Sequence, residues 1–254
     1  MKSIHLPARI ESVIKSTGEL RQLSRDLKNN ETLTDIEIHM SDTMVLDQEN
    51  GGVLSEIIGS YAPQNLTGIW LYINKVDSLG VAALAHALSL NKKLKLFAFW
   101  NSNINDEQLT TLSEAFRDHQ AISHVEVSSL LNQDPQCFGM LGTQSLAQAL
   151  GHNPHMQRVE ITPALHKELE INGDAIARII LANPNINSIM LPCNQRSAAI
   201  AKEVNERNNP SKSSQQPQES DQGASAAAIS ECLSLEEEPQ NPNLPITGDV
   251  TQSE

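Results

Sequence analysis

The residues best equipped for acid–base or covalent chemistry in this 254-residue chain are Cys137, His152, His155, Glu126 and Glu160. A thiol needs a nearby base to become a useful nucleophile. No local periodicity brings His152 or His155, which lie near a return turn, to Cys137, which lies in an insertion. A third, orienting partner is also missing, so Cys137 reads as a structural cysteine. Glu126 and Glu160 offer a carboxylate pair two strands' breadth apart, but no enclosed pocket is identifiable to perturb their acidity or exclude water. The sequence has no GxSxG nucleophile turn, HExxH zinc helix, Walker-type phosphate loop or Rossmann glycine fingerprint. The chain is therefore expected to be non-enzymatic, with no catalytic, cofactor-binding or metal residues. An enzyme using an unrecognised groove is the alternative.

Recognition is the better-supported chemistry. Trp70, Tyr72 and Trp100 include both tryptophans of a chain with only 3% aromatic residues. If they share one exposed face they form a protein-binding surface, because Trp and Tyr contribute large area with few rotors and keep a polar edge. The competing reading is that they shield the sheet or pack against the N-terminal segment. Glu37, Glu126 and Glu160 fall on the same inferred face, and acids flanking an aromatic centre would steer a basic protein segment.

The elements that position these residues follow from a repeat. An apolar triplet at offsets 0, +3 and +5 recurs as Leu33, Ile36, Ile38; Leu66, Ile69, Leu71; Leu94, Phe97, Phe99; Ile122, Val125, Val127; Met156, Val159, Ile161; and Ile186, Ile189, Leu191. Successive starts lie 33, 28, 28, 34 and 30 residues apart, the mark of a solenoid whose units cannot bury their apolar faces alone. Offsets +3 and +5 share one side of a strand, so +4 and +6 point to the other. That alternate set holds Glu37 and His39, Trp70 and Tyr72, Ala98 and Trp100, Glu126 and Ser128, Glu160 and Thr162, then Met190 and Pro192. Between triplets the period becomes helical: Leu54, Ile57, Ile58; Ala83, Leu84, Ala87, Leu88; Leu112, Ala115, Phe116; Leu146, Ala149, Leu150; and Ile176, Ile179, Ile180.

The segment LTGIWLYINKVDSLGVAALAHALSLNKKL resembles a leucine-rich repeat of the long, roughly 28-residue class found in ribonuclease inhibitors, tropomodulin-like proteins and many bacterial proteins. Leu66, Ile69, Leu71, Asn74 and Val76 match the strand-and-turn motif, and Gly80, Leu84, Ala87 and Leu88 the helical part. The resemblance spans about residues 18–204. It implies an α/β leucine-rich repeat solenoid with a concave parallel sheet and convex helices. It also implies a turn asparagine bonded to backbone groups freed at the strand end. Asn74 and Asn194 occupy that place, while Ser41, Ser102, Leu130 and Ala164 replace it elsewhere.

Residues 1–32 are expected to form an N-terminal helical cap, with Ile10, Val13, Ile14, Leu20, Leu23 and Leu27 as its apolar side. Residues 33–204 form the repeat domain, closed by a short helix bearing Ala198, Ala199, Ile200 and Val204. Insertions at 128–142 and 162–173 form a partner site or tolerated slack. Residues 205–254 form an acidic tail, read as disordered, with AAAISECLSL as a docking segment in the alternative.

Charge and composition limit the partners. The chain carries 18 Lys plus Arg against 31 Asp plus Glu, for a net charge of −13, and a chain without a basic cluster suits neither nucleic acid nor anionic membrane. The tail has 2 basic and 9 acidic residues, hence −7 of that total. Cys137, Cys193 and Cys232 are too scattered for a disulfide framework, and no secretory leader or membrane span is evident, so a cytoplasmic monomer is expected. Glu236, Glu237 and Glu238 resemble the glutamate-rich export signals of bacterial type IV secreted effectors, which implies delivery into a host cell as the alternative location. A protein-binding effector or adaptor is thus the main expectation. An actin-associated capping or scaffold protein, from the tropomodulin-like resemblance, is the alternative.

Overall fold

The computed structural model describes residues 9–28, 30–59, 65–129, 137–162 and 176–190. The expectations for the C-terminal helix, the acidic tail, Cys193, Asn194, Cys232, residues 130–136 of the first insertion and residues 163–173 of the second lie outside these residues.

Strands and helices alternate along the chain: β1 (Arg9–Ile14), α1 (Thr17–Leu27), β2 (Asp35–Met40), α2 (Gln48–Ile58), β3 (Gly68–Tyr72), α3 (Ser78–Leu90), β4 (Leu96–Ser102), α4 (Asp106–Arg117), β5 (His124–Ser129), α5 (Met140–His152), β6 (Arg158–Thr162) and β7 (Ser188–Met190). Residues 176–181 are also helical. Among the described residues, seven strands run parallel and are ordered β1 to β7 in one sheet, so each unit adds its strand beside the last in a solenoid-like stack. Every triplet residue within the described segments is buried on the helix side. A fully buried aliphatic side chain contributes about 1.5–3 kcal/mol, so each unit's triplet depends on the helix and strand of its neighbours. Among the described residues, no helix is long and apolar enough to cross a membrane.

Capping side chains hold the starts of α1 to α4. Ser16, Asp47 and Asp77 accept from backbone N–H groups of the first turns of α1, α2 and α3, and Asn105 forms a reciprocal capping box with Gln108 at α4. Helix α5 begins at Gly139 without a cap of its own. Asp106, from the preceding unit, supplies it by accepting from the N–H groups of Gly139 and Gly142 at 2.8 and 2.6 Å.

The returns from helix to strand carry a ladder that the repeat pattern did not single out. Buried Asn91, Asn153 and Asn183 each donate through Nδ2 to a backbone carbonyl of the preceding unit. Their Oδ1 atoms accept from N–H groups two or three residues ahead. His119 holds the same rung by a different route, its Nδ1 accepting from Ala121 and Ile122. These bonds satisfy backbone groups that a tight turn would otherwise strand in the core.

Two expectations change. Residues 9–14 are not helical: β1 pairs in parallel with β2, placing Ile10 opposite Ile36 and Ile14 opposite Met40. Leu20, Leu23 and Leu27 do lie on a helix, α1. The asparagine at the end of β3 also acts differently, since the Asn74 amide donates to the Asp42 carboxylate rather than to freed backbone. The turn role falls to Asn103, whose Oδ1 accepts from Val76 N–H at 2.9 Å. A register irregularity between Phe99 and Ser102 in β4 moves that residue one place past the expected Ser102.

Candidate functional site

The sheet side facing away from the core presents three rows in register. The first runs Arg9, Asp35, Gly68, Leu96, His124, Arg158, Ser188, and the second Glu11, Glu37, Trp70, Ala98, Glu126, Glu160, Met190. In the third, Val13, His39, Tyr72 and Trp100 are successive partners. Strand alternation thus gathers Trp70, Tyr72 and Trp100 onto two neighbouring strands.

They are packed rather than merely adjacent. Tyr72 meets Trp100 edge to face at 4.9 Å and 83°, and stacks on His39 at 4.1 Å and 6°. The guanidinium of Arg9 lies 4.5 Å from the Trp70 ring centroid, a cation–π contact that covers one side of the indole. Gly68 makes room for that indole: a Cβ there would fall 3.1 and 3.2 Å from two of its ring atoms and 2.2 Å from Asp35 Oδ1. Trp70, Tyr72 and Trp100 are half-buried. Their packing restricts the rotors while part of each ring stays open to solvent.

The acids are less free than expected. Glu126 is buried, only 7% exposed, and its Oε1 lies 2.7 Å from His124 Nε2 outside hydrogen-bond geometry. It is not an open steering charge, because the strand places His124 over it and Glu160 beside it. Glu37 joins β1 to β2 through a 2.8 Å ion pair with Arg9 and also contacts His39 at 2.9 Å. The Arg9 hydrogen bond, ahead of His39, holds the Glu37 carboxyl below its ordinary value. Glu160 pairs loosely with Arg158 at 3.7 Å. Burial, and then the neighbouring Glu126, push its carboxyl upward. Glu126 and Glu160 are direct partners on adjacent strands, not two strands apart. Burial, followed by Glu37, likewise raises the Tyr72 phenol.

Ala98, expected on the open side, is fully buried between Trp70 and Glu126. Cys137 is buried too. Arg9, Glu11 and Val13 were missing from the expected face because their strand was read as helix. Ile10 and Ile14 fall on one side of the strand, but Pro7 and Ser12 occupy apolar positions of the triplet and break the alternation.

No protein-family model matches the chain, and no curated protein matches it. Among solved structures it is similar to Leiomodin-1 Actin-Binding Site 2, with a TM-score of 0.48 and 13% identity, over 78% of this chain and 96% of that one.

Proposed function

We propose that this chain is a non-enzymatic leucine-rich repeat module of the long class, and that the open side of its sheet is a concave protein-binding face centred on Trp70, Tyr72 and Trp100. The supporting observation is the edge-to-face packing of Tyr72 on Trp100, with Trp70 on the same side of β3, opposite the helices. Such rings combine large contact area with restricted side chains, the usual make-up of an interface hot spot. Arg9 and His39 extend the strip, while Asp35, Glu11, Glu37 and Glu160 give its margins an acidic excess that favours a partner segment bearing apolar and basic groups. The repeat domain in this reading starts with β1 and continues to residue 204, and residues 205–254 are a solubilising acidic appendage. Host-cell delivery is the second location considered, and export of a chain lacking Glu236, Glu237 and Glu238 tests it.

The experiment is affinity capture followed by reconstitution with each captured protein in purified form. Trp100→Ser should weaken the binary complex by about tenfold or more, the scale of a hot-spot residue, with an unchanged circular-dichroism spectrum. Full-strength binding by this variant would remove the proposed face. Co-sedimentation with filamentous actin, in the same wild-type and variant pair, tests the actin-associated alternative.

A further inference from the structure

One corner of the open face gathers ligand atoms suited to a metal ion. Glu11 on β1 and Glu37 on β2 are in-register partners, and His39 lies two residues beyond Glu37 on the same side. One carboxylate oxygen from each glutamate and one His39 ring nitrogen all lie within 4.8 Å of one another. His39 Nε2 is 2.9 Å from Glu37 Oε1 and 3.6 Å from Glu11 Oε1. Two ligands bound to tetrahedral zinc at about 2.0–2.1 Å stand about 3.3 Å apart. The two observed spacings bracket that value, and the glutamate oxygens lie within 4.8 Å of each other, so movement of the exposed Glu11 side chain would close the site.

Two of the three ligands are already oriented. Glu37 turns Oε1 toward His39 while Arg9 holds Oε2 at 2.8 Å. The His39 ring plane is set by its stack on Tyr72. Metal-binding carboxylates and imidazoles are commonly held by such outer contacts, which reduce the ordering needed on binding. The imidazole also narrows the choice of ion. Magnesium and calcium favour all-oxygen sets, whereas mixed nitrogen and carboxylate ligands suit zinc and its neighbours.

We propose that Glu11, Glu37 and His39 form a binding site for a divalent transition-metal ion of the zinc class, clipping the edge strand β1 to β2. Two glutamates and one imidazole make three protein ligands, and water completes the tetrahedron. The site is independent of the protein-binding reading, since a metal titration needs no protein partner.

Calorimetric titration of the full chain with ZnCl₂, with MgCl₂ in parallel, tests this. The expected result is one tight zinc site, no comparable magnesium binding, and a zinc-dependent rise in Tm. Glu11→Gln and His39→Gln should each weaken zinc at least about tenfold and abolish the Tm rise. The Glu11 side chain is 64% exposed, so its substitution leaves the core untouched and keeps the test valid even if His39→Gln unfolds. A His152→Gln/His155→Gln variant should bind zinc as the wild type does. Wild-type zinc affinity in Glu11→Gln, loss of binding in the His152/His155 variant, or no zinc binding by the wild type would overturn the proposal.

Discussion

His39 and Tyr72, partners on neighbouring strands, lie face to face with centroids 4.1 Å apart and ring planes 6° from parallel. This contact ties the charged corner at Glu11, Glu37 and Arg9 to the aromatic strip. It also makes Tyr72 the central ring, with His39 against its face and Trp100 at 4.9 Å.

A double-mutant cycle on His39→Ala and Tyr72→Ala should return a coupling of about 0.5–1.5 kcal/mol, the scale of an aromatic pair beyond its buried area. Urea unfolding of the wild type, both single variants and the double variant measures it. Additive losses within about 0.3 kcal/mol would mean the stack contributes no energy of its own.

Gly68→Ala should displace the Trp70 indole, because the new methyl meets Asp35 Oδ1 and two ring atoms. The expected cost is about 1–3 kcal/mol, accompanied by a changed tryptophan emission spectrum. The double variant Gly68→Ala/Asp35→Ala should recover part of that loss. An unshifted spectrum with wild-type stability would show that the indole does not depend on the missing side chain.

Gly80→Ala should be the more damaging glycine substitution. Its Cβ would fall 2.0 Å from the Leu46 carbonyl oxygen and 2.9 Å from that of Asp47. Both are backbone atoms held by the Leu46–Val76 bridge and the Asp47 cap, so neither can rotate away as a side chain would. We expect a loss of about 3 kcal/mol or more, read from the urea midpoint. A loss equal to that of Gly52→Ala, where a Cβ meets nothing within 4 Å, would contradict the close approach of successive units.

His119 gives the fold an acid sensitivity. Burial, above all, holds its pKa below the ordinary 6.5, with Lys92 and His155 acting in the same direction. Its Nδ1 accepts two backbone N–H groups, and Nε2 faces the Asn91 and Leu88 backbone without reaching hydrogen-bond geometry. Below pH 6.5 the unfolded chain takes up a proton that the folded chain resists. The stabilisation is therefore complete above 6.5 and is lost as pH falls toward the folded value, by at most about 1.4 kcal/mol per pH unit. His119→Asn places at this rung the residue found at 91, 153 and 183. Its stability should change less than the wild type's between pH 7.5 and 5.5, and parallel unfolding curves would refute the assignment.

The core was legible because a triplet of apolar residues at strand spacing leaves little choice of side. Leu33, Ile36 and Ile38, and their equivalents down to Met156, Val159 and Ile161, all occupy the helix-facing layer. Strand β1 was not legible by the same route, since Ser12 breaks its apolar alternation and its pairing with β2 supplies what its own sequence lacks. The aromatic rows followed from strand parity alone. What parity could not supply was depth: whether Glu126 is open depends on His124 and Glu160 around it, and whether Trp70 is bare depends on Arg9 from two strands away. The asparagine ladder was missed because its residues lie between the periodic segments, where a polar residue reads as loop until its buried partners are seen.

In the proposed function, recognition belongs to the open side of the sheet rather than to the helices. Its most direct test compares partner affinity of Trp100→Ser with that of Leu79→Ser/Leu141→Ser, which removes two of the large exposed apolar groups on α3 and α5. We predict that the strand-side change weakens the reconstituted complex by about tenfold or more, while the helix-side change leaves it at wild-type strength. Wild-type binding by Trp100→Ser together with loss in Leu79→Ser/Leu141→Ser would place recognition on the helices instead.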